Sequence, residues 1–195
     1  LPSLAAAVGV NELALREVMD GTRVIPEDQL LAQAKRHIEH GGSANDVVDA
    51  ITGRTWMHLA AMMGSPTVLT YLLDHDGDVN IRRTTNGNDG GETPLHYART
   101  PEVAMVLIER GADLKARCNL MGNTPFLSAC YMHYPDVVDQ LAAAGADTHA
   151  TSRMFSYSAA HVAVMRLSVF HGKPELDRYE QGLQTLDRLA KLGVN

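Results

Sequence analysis

Two kinds of residue pairing in this sequence could do chemistry: a histidine three residues after a threonine, and a histidine three residues after a cysteine. Thr55-Trp56-Met57-His58 and Thr93-Pro94-Leu95-His96 each set an imidazole, the commonest general acid or base, beside a hydroxyl. Cys130-Tyr131-Met132-His133 could give zinc two ligands, but a structural site takes four and no second pair stands at a matching spacing. Asp74-His75-Asp76-Gly77-Asp78 begins like an acidic calcium loop, yet Thr85 stands at the twelfth position where a bidentate Glu belongs. A helix end with solvated acids accounts for it better. No Gly-rich phosphate loop opens a helix, and neither G-x-S-x-G nor H-E-x-x-H occurs. The expectation is no catalytic residue, no metal, no cofactor and no enzyme activity.

The threonine–histidine pairs belong to a larger pattern. Gly53-Arg54-Thr55-Trp56-Met57-His58-Leu59-Ala60 recurs as Gly91-Glu92-Thr93-Pro94-Leu95-His96-Tyr97-Ala98 and as Gly122-Asn123-Thr124-Pro125-Phe126-Leu127-Ser128-Ala129, with a degenerate copy at Ser158-Ala159-Ala160-His161-Val162-Ala163. A second landmark follows each copy, at Asp76 to Asn80, Gly111 to Leu114, Gly145 to Thr148 and Gly193 to Asn195; an earlier one stands at Gly41 to Asn45. Proline supplies an independent measure of the unit. Pro66, Pro101 and Pro135 each lie ten residues before Asp76, Gly111 and Gly145. Proline suits the first helical turn, where its missing N–H has no partner to lose, and glycine suits the residue past the last turn, where φ turns positive.

Between those ends Val68, Leu72 and Leu73, then Val103, Leu107 and Ile108, then Val137, Leu141 and Ala142, recur at helical spacing, so one face of each helix is buried. Ser65 and Thr100 stand where N-caps belong. Pro26 and Pro174 open longer analogous helices running to Gly41 and Gly193. The register also shows departures. His58 and His96 are 38 residues apart, and the excess falls in the Gly/Asn/Thr-rich stretch from Arg82 to Gly91, which reads as a lengthened hairpin finger. Ala98-Arg99-Thr100-Pro101 leaves almost no room between two helices, so the first helix of that unit is expected to be clipped. Material inserted between Met165 and Pro174 reads as a longer inter-helix loop or an extended helix.

These residues resemble the ankyrin-repeat family, whose unit of about 33 residues carries T-P-L-H-x-A. The resemblance covers the chain from about Pro26 and, more faintly, from Leu4-Ala5-Ala6-Ala7. It implies an all-α solenoid of about four to five helix-turn-helix units with hairpin fingers. The whole chain, 1–195, is then one domain: an irregular N-terminal cap unit at 1–50, central repeats at 51–82, 83–117 and 118–150, and an irregular C-terminal unit with an insertion at 151–195. The same resemblance implies that Thr55, His58, Thr93, Pro94, His96, Thr124, Pro125 and His161 are structural, each Thr and His fixing the turn into the first helix. Leu127 stands in place of one of these histidines, which implies that the polar link is dispensable there. Asn80, eight residues after Leu72, is similar to sites of asparagine hydroxylation in the family, although a turn role is the first expectation.

A solenoid leaves an extended concave surface of finger tips and first helices, where a protein partner is expected to bind. The resemblance points to the variable positions beside the cores: Ile51, Thr52, Arg54, Met62, Met63, Glu92, Arg99, Leu120, Met121, Asn123, Tyr131, Met132, Arg153 and Met154. Met, Tyr and Arg are enriched in interface cores. Arg82, Arg83, Lys115, Arg117 and Arg153 fall on the fingers, whereas Asp74, Glu102, Glu109, Asp136, Asp139, Asp177 and Glu180 fall on second helices and their ends, so a basic edge could steer an acidic partner segment.

Composition narrows the classes. With 17 Lys+Arg against 23 Asp+Glu and a net charge of −6, non-specific binding to nucleic acid or anionic membrane is not expected. No apolar run reaches the roughly 20 residues that cross a bilayer. Two cysteines, Cys118 and Cys130, are too few for a disulfide framework, which suits the cytoplasm or another reducing intracellular compartment, with secretion as an effector left open. Residue 1 is Leu, which reads as a processed chain or a fragment. The expectation is therefore a monomeric, non-catalytic protein-binding module. One alternative is a regulatory, inhibitory or targeting domain of a larger enzyme or effector, binding in cis or to a host protein. The other is a small-molecule or metal site around Cys130 and His133.

Overall fold

The computed structural model describes residues 25–85, 90–169 and 176–194. Helix α1 (Glu27–Glu39) leads to a short hairpin of β1 (Val47–Asp49) and β2 (Arg54–Thr55), then to α2 (Trp56–Met63) and α3 (Pro66–Leu73). A single 3-10 turn (Pro94–Tyr97) and α4 (Pro101–Glu109) follow, then α5 (Pro125–Met132) and α6 (Pro135–Ala143), and finally α7 (Ala159–Val169) and α8 (Leu176–Lys191).

The elements form two layers. In the first, α2, the 3-10 turn, α5 and α7 pack in succession; in the second, α1, α3, α4, α6 and α8 do the same. Trp56, Met57, Leu69, Leu72, Leu95, Leu107, Phe126, Leu127 and Leu141 fill the space between them and are fully buried. Each unit is too small to shield these residues alone, so burial is completed only by the neighbouring unit. Of the apolar positions read from the spacing, Val68, Leu72, Val103, Leu107, Val137 and Leu141 are fully buried, whereas Leu73, Ile108 and Ala142 are half-buried against the core. Leu69, Ala104 and Val138 on the same helices are the fully buried residues that complete the face.

The proline-led helices α3, α4 and α6 close where the landmark predicts, at left-handed residues Asp76 (φ 61°), Gly111 (φ 86°) and Gly145 (φ 88°). Their N-termini differ from one another. The Thr100 hydroxyl accepts from the Val103 N–H at 3.4 Å, as an N-cap should. Ser65 makes no such bond: its backbone (φ −103°, ψ 89°) lies off the extended conformation that aims a cap, and its side chain is buried. The expected cap at Ser65 is thus corrected.

The clipped helix is present as the four-residue turn Pro94–Tyr97, because Thr100 must already cap α4. In the last unit α7 runs eleven residues against eight in α2 and α5, an extended helix up to Val169. Residues 170–175, including Pro174, lie outside the described residues, as do the faint N-terminal copy at 4–7 and finger positions 86–89. The fingers close by main-chain bonds: Arg83 N–H to Glu92 O at 2.8 Å, Cys118 N–H to Asn123 O at 3.1 Å, and Ser152 N–H to Tyr157 O at 2.9 Å. Successive fingers join through Asn119 N–H to Gly90 O at 2.7 Å and Arg153 N–H to Met121 O at 2.8 Å. That approach explains the glycine opening each core. A Cβ on Gly122 (φ 64°) would sit 2.4 Å from the Arg153 Cβ, and one on Gly53 (φ 67°) would overlap the Thr84 carbonyl oxygen.

Candidate functional site

The threonine–histidine pairs are buried joints between units. The Thr55 N–H donates to His58 Nδ1 at 3.2 Å, which leaves the ring proton on Nε2 to donate to the Glu92 carbonyl of the next finger at 3.0 Å. His96 repeats the arrangement, accepting from the Thr93 N–H at 3.1 Å and donating to the Asn123 carbonyl at 3.0 Å. Burial holds both imidazoles down to about 4, so both are neutral at pH 7. Each ring has one nitrogen accepting and one donating, so neither has a lone pair left to abstract a proton. Thr124 caps the third copy through the Leu127 N–H at 3.3 Å, with no histidine required, and Pro94 and Pro125 open their turns at the first helical position. In the fourth copy the equivalent histidine, His161, is exposed and its Nδ1 lies 2.8 Å from the Ser158 hydroxyl.

Two further ladders tie the units together, and sequence reasoning missed both. Asn45 donates to the Asp76 carbonyl at 3.0 Å and accepts from the Asp78 N–H at 2.8 Å. Asn80 does the same one unit later, with the Gly111 carbonyl at 3.2 Å and the Asp113 N–H at 2.8 Å. Asn80 is therefore a joint as well as a turn residue. On the fingers, Arg82 donates to the carbonyls of Gly91 (2.9 Å) and Arg117 (3.0 Å), and Arg117 to those of Gly122 (2.6 Å) and Thr151 (2.8 Å). The signal available for both was the repeat spacing itself: Asn45 and Asn80 are 35 residues apart, as are Arg82 and Arg117.

Arg83 corrects the expected basic edge. Its side chain is buried, forks onto Glu92 at 2.8 and 3.2 Å, and reaches the Thr52 carbonyl at 3.0 Å. Partial burial pushes the Glu92 carboxyl up, but the Arg83 guanidinium outweighs this and holds it below the usual carboxylate value. Arg82 and Arg117 bond neutral carbonyls, which do not cancel their charge, and Lys115 and Arg153 are exposed.

Among the candidate contact residues, Ile51, Arg99, Leu120, Met132, Arg153 and Met154 are exposed, whereas Thr52, Arg54, Met62, Met63, Glu92, Met121, Asn123 and Tyr131 are half-buried. Met62 and Met63 pack on the core. Several half-buried residues are braced. Arg54 lies over the Tyr97 ring at 5.2 Å, and Tyr131 lies under Arg166 at 5.0 Å and accepts from it at 3.3 Å. Leu120, Met121, Arg153 and Met154 come together on adjoining fingers through the Met121–Arg153 main-chain bond. Arg99 lies apart from them, in a groove of about 360 Å³ among the N-termini of α4 and α6.

The Cys130–His133 pair does not face a common ligand position. Cys130 is fully buried in the core and burial pushes its thiol up, while His133 Nε2 donates to the Ala163 carbonyl at 3.0 Å. Among the described residues no group of three or more His, Cys, Asp or Glu could hold a metal ion. Asp74, Asp76 and Asp78 are placed at a helix end, with Asp74 paired to Arg110 at 2.8 Å. Among the described residues no helix is long and apolar enough to cross a membrane.

Stacked helix pairs, glycine-opened fingers and histidine joints define a repeat solenoid. Its family model, described as ankyrin repeats (3 copies), matches residues 28–118 and 84–152, and the chain belongs to the ankyrin-repeat family, whose repeats are generally protein-interaction modules. It is 33% identical over 150 residues to the neurogenic locus Notch protein of Drosophila melanogaster, covering 75% of this chain and 5% of that protein. It is 31% identical over 103 residues to protein phosphatase 1 regulatory subunit 12A of Rattus norvegicus (51% of this chain, 9% of the relative). It is 34% identical over 113 residues to the B-cell lymphoma 3 protein homolog of Mus musculus (55% and 24%). The chain thus spans a minor part of each of these relatives.

Proposed function

We propose that this chain is a non-catalytic protein-binding module that engages a protein partner along its fingers and first helices. The supporting observation is that Leu120, Met132 and Met154 remain exposed, as do Lys115 and Arg153, whose cations no carboxylate pairs among the described residues. Exposed apolar groups supply contact that releases water, and the cations orient an acidic segment of the partner. The ladders of His58, His96, Asn80, Arg82 and Arg117 preorganise that surface, so little ordering cost falls on binding. In this reading the chain is one monomeric domain in a reducing compartment, with central units 51–82, 83–117 and 118–150 between the irregular 1–50 and 151–195. It needs no cofactor.

A regulatory role within a larger protein, with binding in cis, is a second reading. It is favoured by the similarity to a protein named as a regulatory subunit and by the small share of each relative that the chain spans. Affinity purification from the native source, followed by reconstitution with the recovered partner, tests the main reading. Met132→Ala, Tyr131→Ala and Arg153→Glu are expected to weaken the reconstituted complex about tenfold or more with the fold intact. Unchanged affinity in all three would remove the assignment to this face.

A further inference from the structure

The last unit differs from the others on the side that faces away from the stack. Aligned from Thr124 and Ser158, Leu127 and Cys130 of α5 correspond to His161 and Val164 of α7. Leu127 and Cys130 are fully buried, in the layer where α5 packs on α7. His161 and Val164, at the same positions one unit later, are exposed, together with Met165 and Phe155. Phe155, Tyr157 and His161 stack in a row, with ring centroids 5.1 and 5.8 Å apart. Tyr157, Ala160, His161, Val164 and Met165 line an open, mostly apolar groove of about 510 Å³. His58 and His96 each donate Nε2–H to the next finger, whereas His161 Nε2 has no acceptor among the described residues.

A further repeat stacked in the same way does not fit this face. Gly53, Gly91 and Gly122 open the internal cores because a Cβ there would strike the following finger. Ser156 holds the equivalent position at φ 52° and carries that Cβ, so a following finger is blocked. On α8, Glu180, Asp187 and Lys191 are exposed, but so are Tyr179 and Leu183, while Gln184 turns back toward the N-termini of α4 and α6, so only the Ser156 Cβ speaks against a following finger. A second copy is also disfavoured, since it would set a chain of net charge −6 and these α8 acids against themselves. A bare helix avoids the Ser156 block, because it brings no finger. Arg153, exposed two residues from Phe155, favours negative charge at that end of the groove.

We propose that the open face of α7, with Phe155 and Tyr157, is a second docking site whose occupant is an amphipathic helix of a protein partner, apolar along one ridge and acidic at the end nearest Arg153. The helix lays its i, i+3, i+4, i+7 ridge into the groove and extends the first-helix layer by one element. The site shares Arg153 with the finger surface, but its apolar groove on α7 does not include Leu120, Met121 or Met132.

The test uses the full chain with labelled Val and Met methyls and a synthetic amphipathic helix of about 16 residues, Leu on the ridge and Glu at one end, made in both polarities. A scrambled peptide of the same composition and a Glu-to-Lys version serve as controls. The expected result is chemical-shift change at the Val164 and Met165 methyls, binding at least tenfold weaker for the scrambled peptide and several-fold weaker for the Lys version. Val164→Asp is expected to abolish binding, and Met132→Ala to leave it unchanged. If Val164→Asp fails to fold, Met165→Glu replaces it. Equal binding by the scrambled peptide, retained binding in the α7 variants, or shifts confined to Met132 and Met121 would overturn the proposal. A dimer in sedimentation that Val164→Asp dissociates would also overturn it, giving the face to a second copy.

Discussion

His58 and His161 stand at the same place in their repeats, and their surroundings make them different residues. His58 is buried, neutral and bonded on both ring nitrogens, one to its own threonine and one to the next finger. His161 keeps only the local bond to Ser158, because no finger follows it among the described residues. The same contrast separates Gly122, which must lack a Cβ, from Ser156, which carries one. A repeat position acquires its role from the neighbour that covers it, and an uncovered copy is free to serve something else.

Acid titration should expose this contrast most strongly. His58 and His96 titrate near 6.5 when unfolded and about 4 when folded. The unfolded chain therefore binds protons first, and stability present above pH 6.5 is lost as pH falls toward 4, by up to about 3 kcal/mol for each ring. Urea denaturation across that window should show a slope that His58→Gln reduces; an unchanged slope would break the assignment. At neutral pH, His58→Ala leaves the Thr55 N–H buried without its acceptor, takes one of two donors from the Glu92 carbonyl, which keeps the Arg83 N–H, and opens a cavity. It should cost about 2–4 kcal/mol, against less than about 0.5 for His161→Ala. Equal losses would mean that the inter-unit bond carries no stability.

Gly122→Ala should destabilise by about 2 kcal/mol, since the new Cβ strikes Arg153. Ser156→Gly should instead stabilise by about 1 kcal/mol by relieving a left-handed non-glycine residue. Thermal melts of the two variants moving in the same direction would contradict the contrast. The smallest effect is expected at the caps: Thr100→Ala should cost about 1 kcal/mol, whereas Ser65→Ala, which removes no cap bond, should change helix α3 by a few tenths.

The repeat frame was legible in residue types because proline, glycine and the Thr-x-x-His pair act through local backbone geometry. Pro101 to Gly111 marks a helix whatever surrounds it, and the shortage of residues from Ala98 to Pro101 forced the clipped turn. Arg83 was misread as part of an exposed edge because its partners Glu92 and Thr52 lie 9 and 31 residues away, across a finger and across a unit. Val164 and Met165 were passed over because their helical spacing is that of a buried face, and nothing local tells whether a neighbour covers it; Phe155 lies on the finger before that helix, where no periodicity applies.

Residue order alone determined that this chain is a stack of helix pairs, with unit lengths, turns and buried stripes set by short-range sterics and hydrophobic spacing. Only the tertiary structure decided which cations are committed to carbonyls and carboxylates, which histidines are joints, and which apolar face stays open. Those outcomes depend on what the neighbouring unit brings within hydrogen-bonding or packing distance, and that neighbour lies some thirty residues away along the chain.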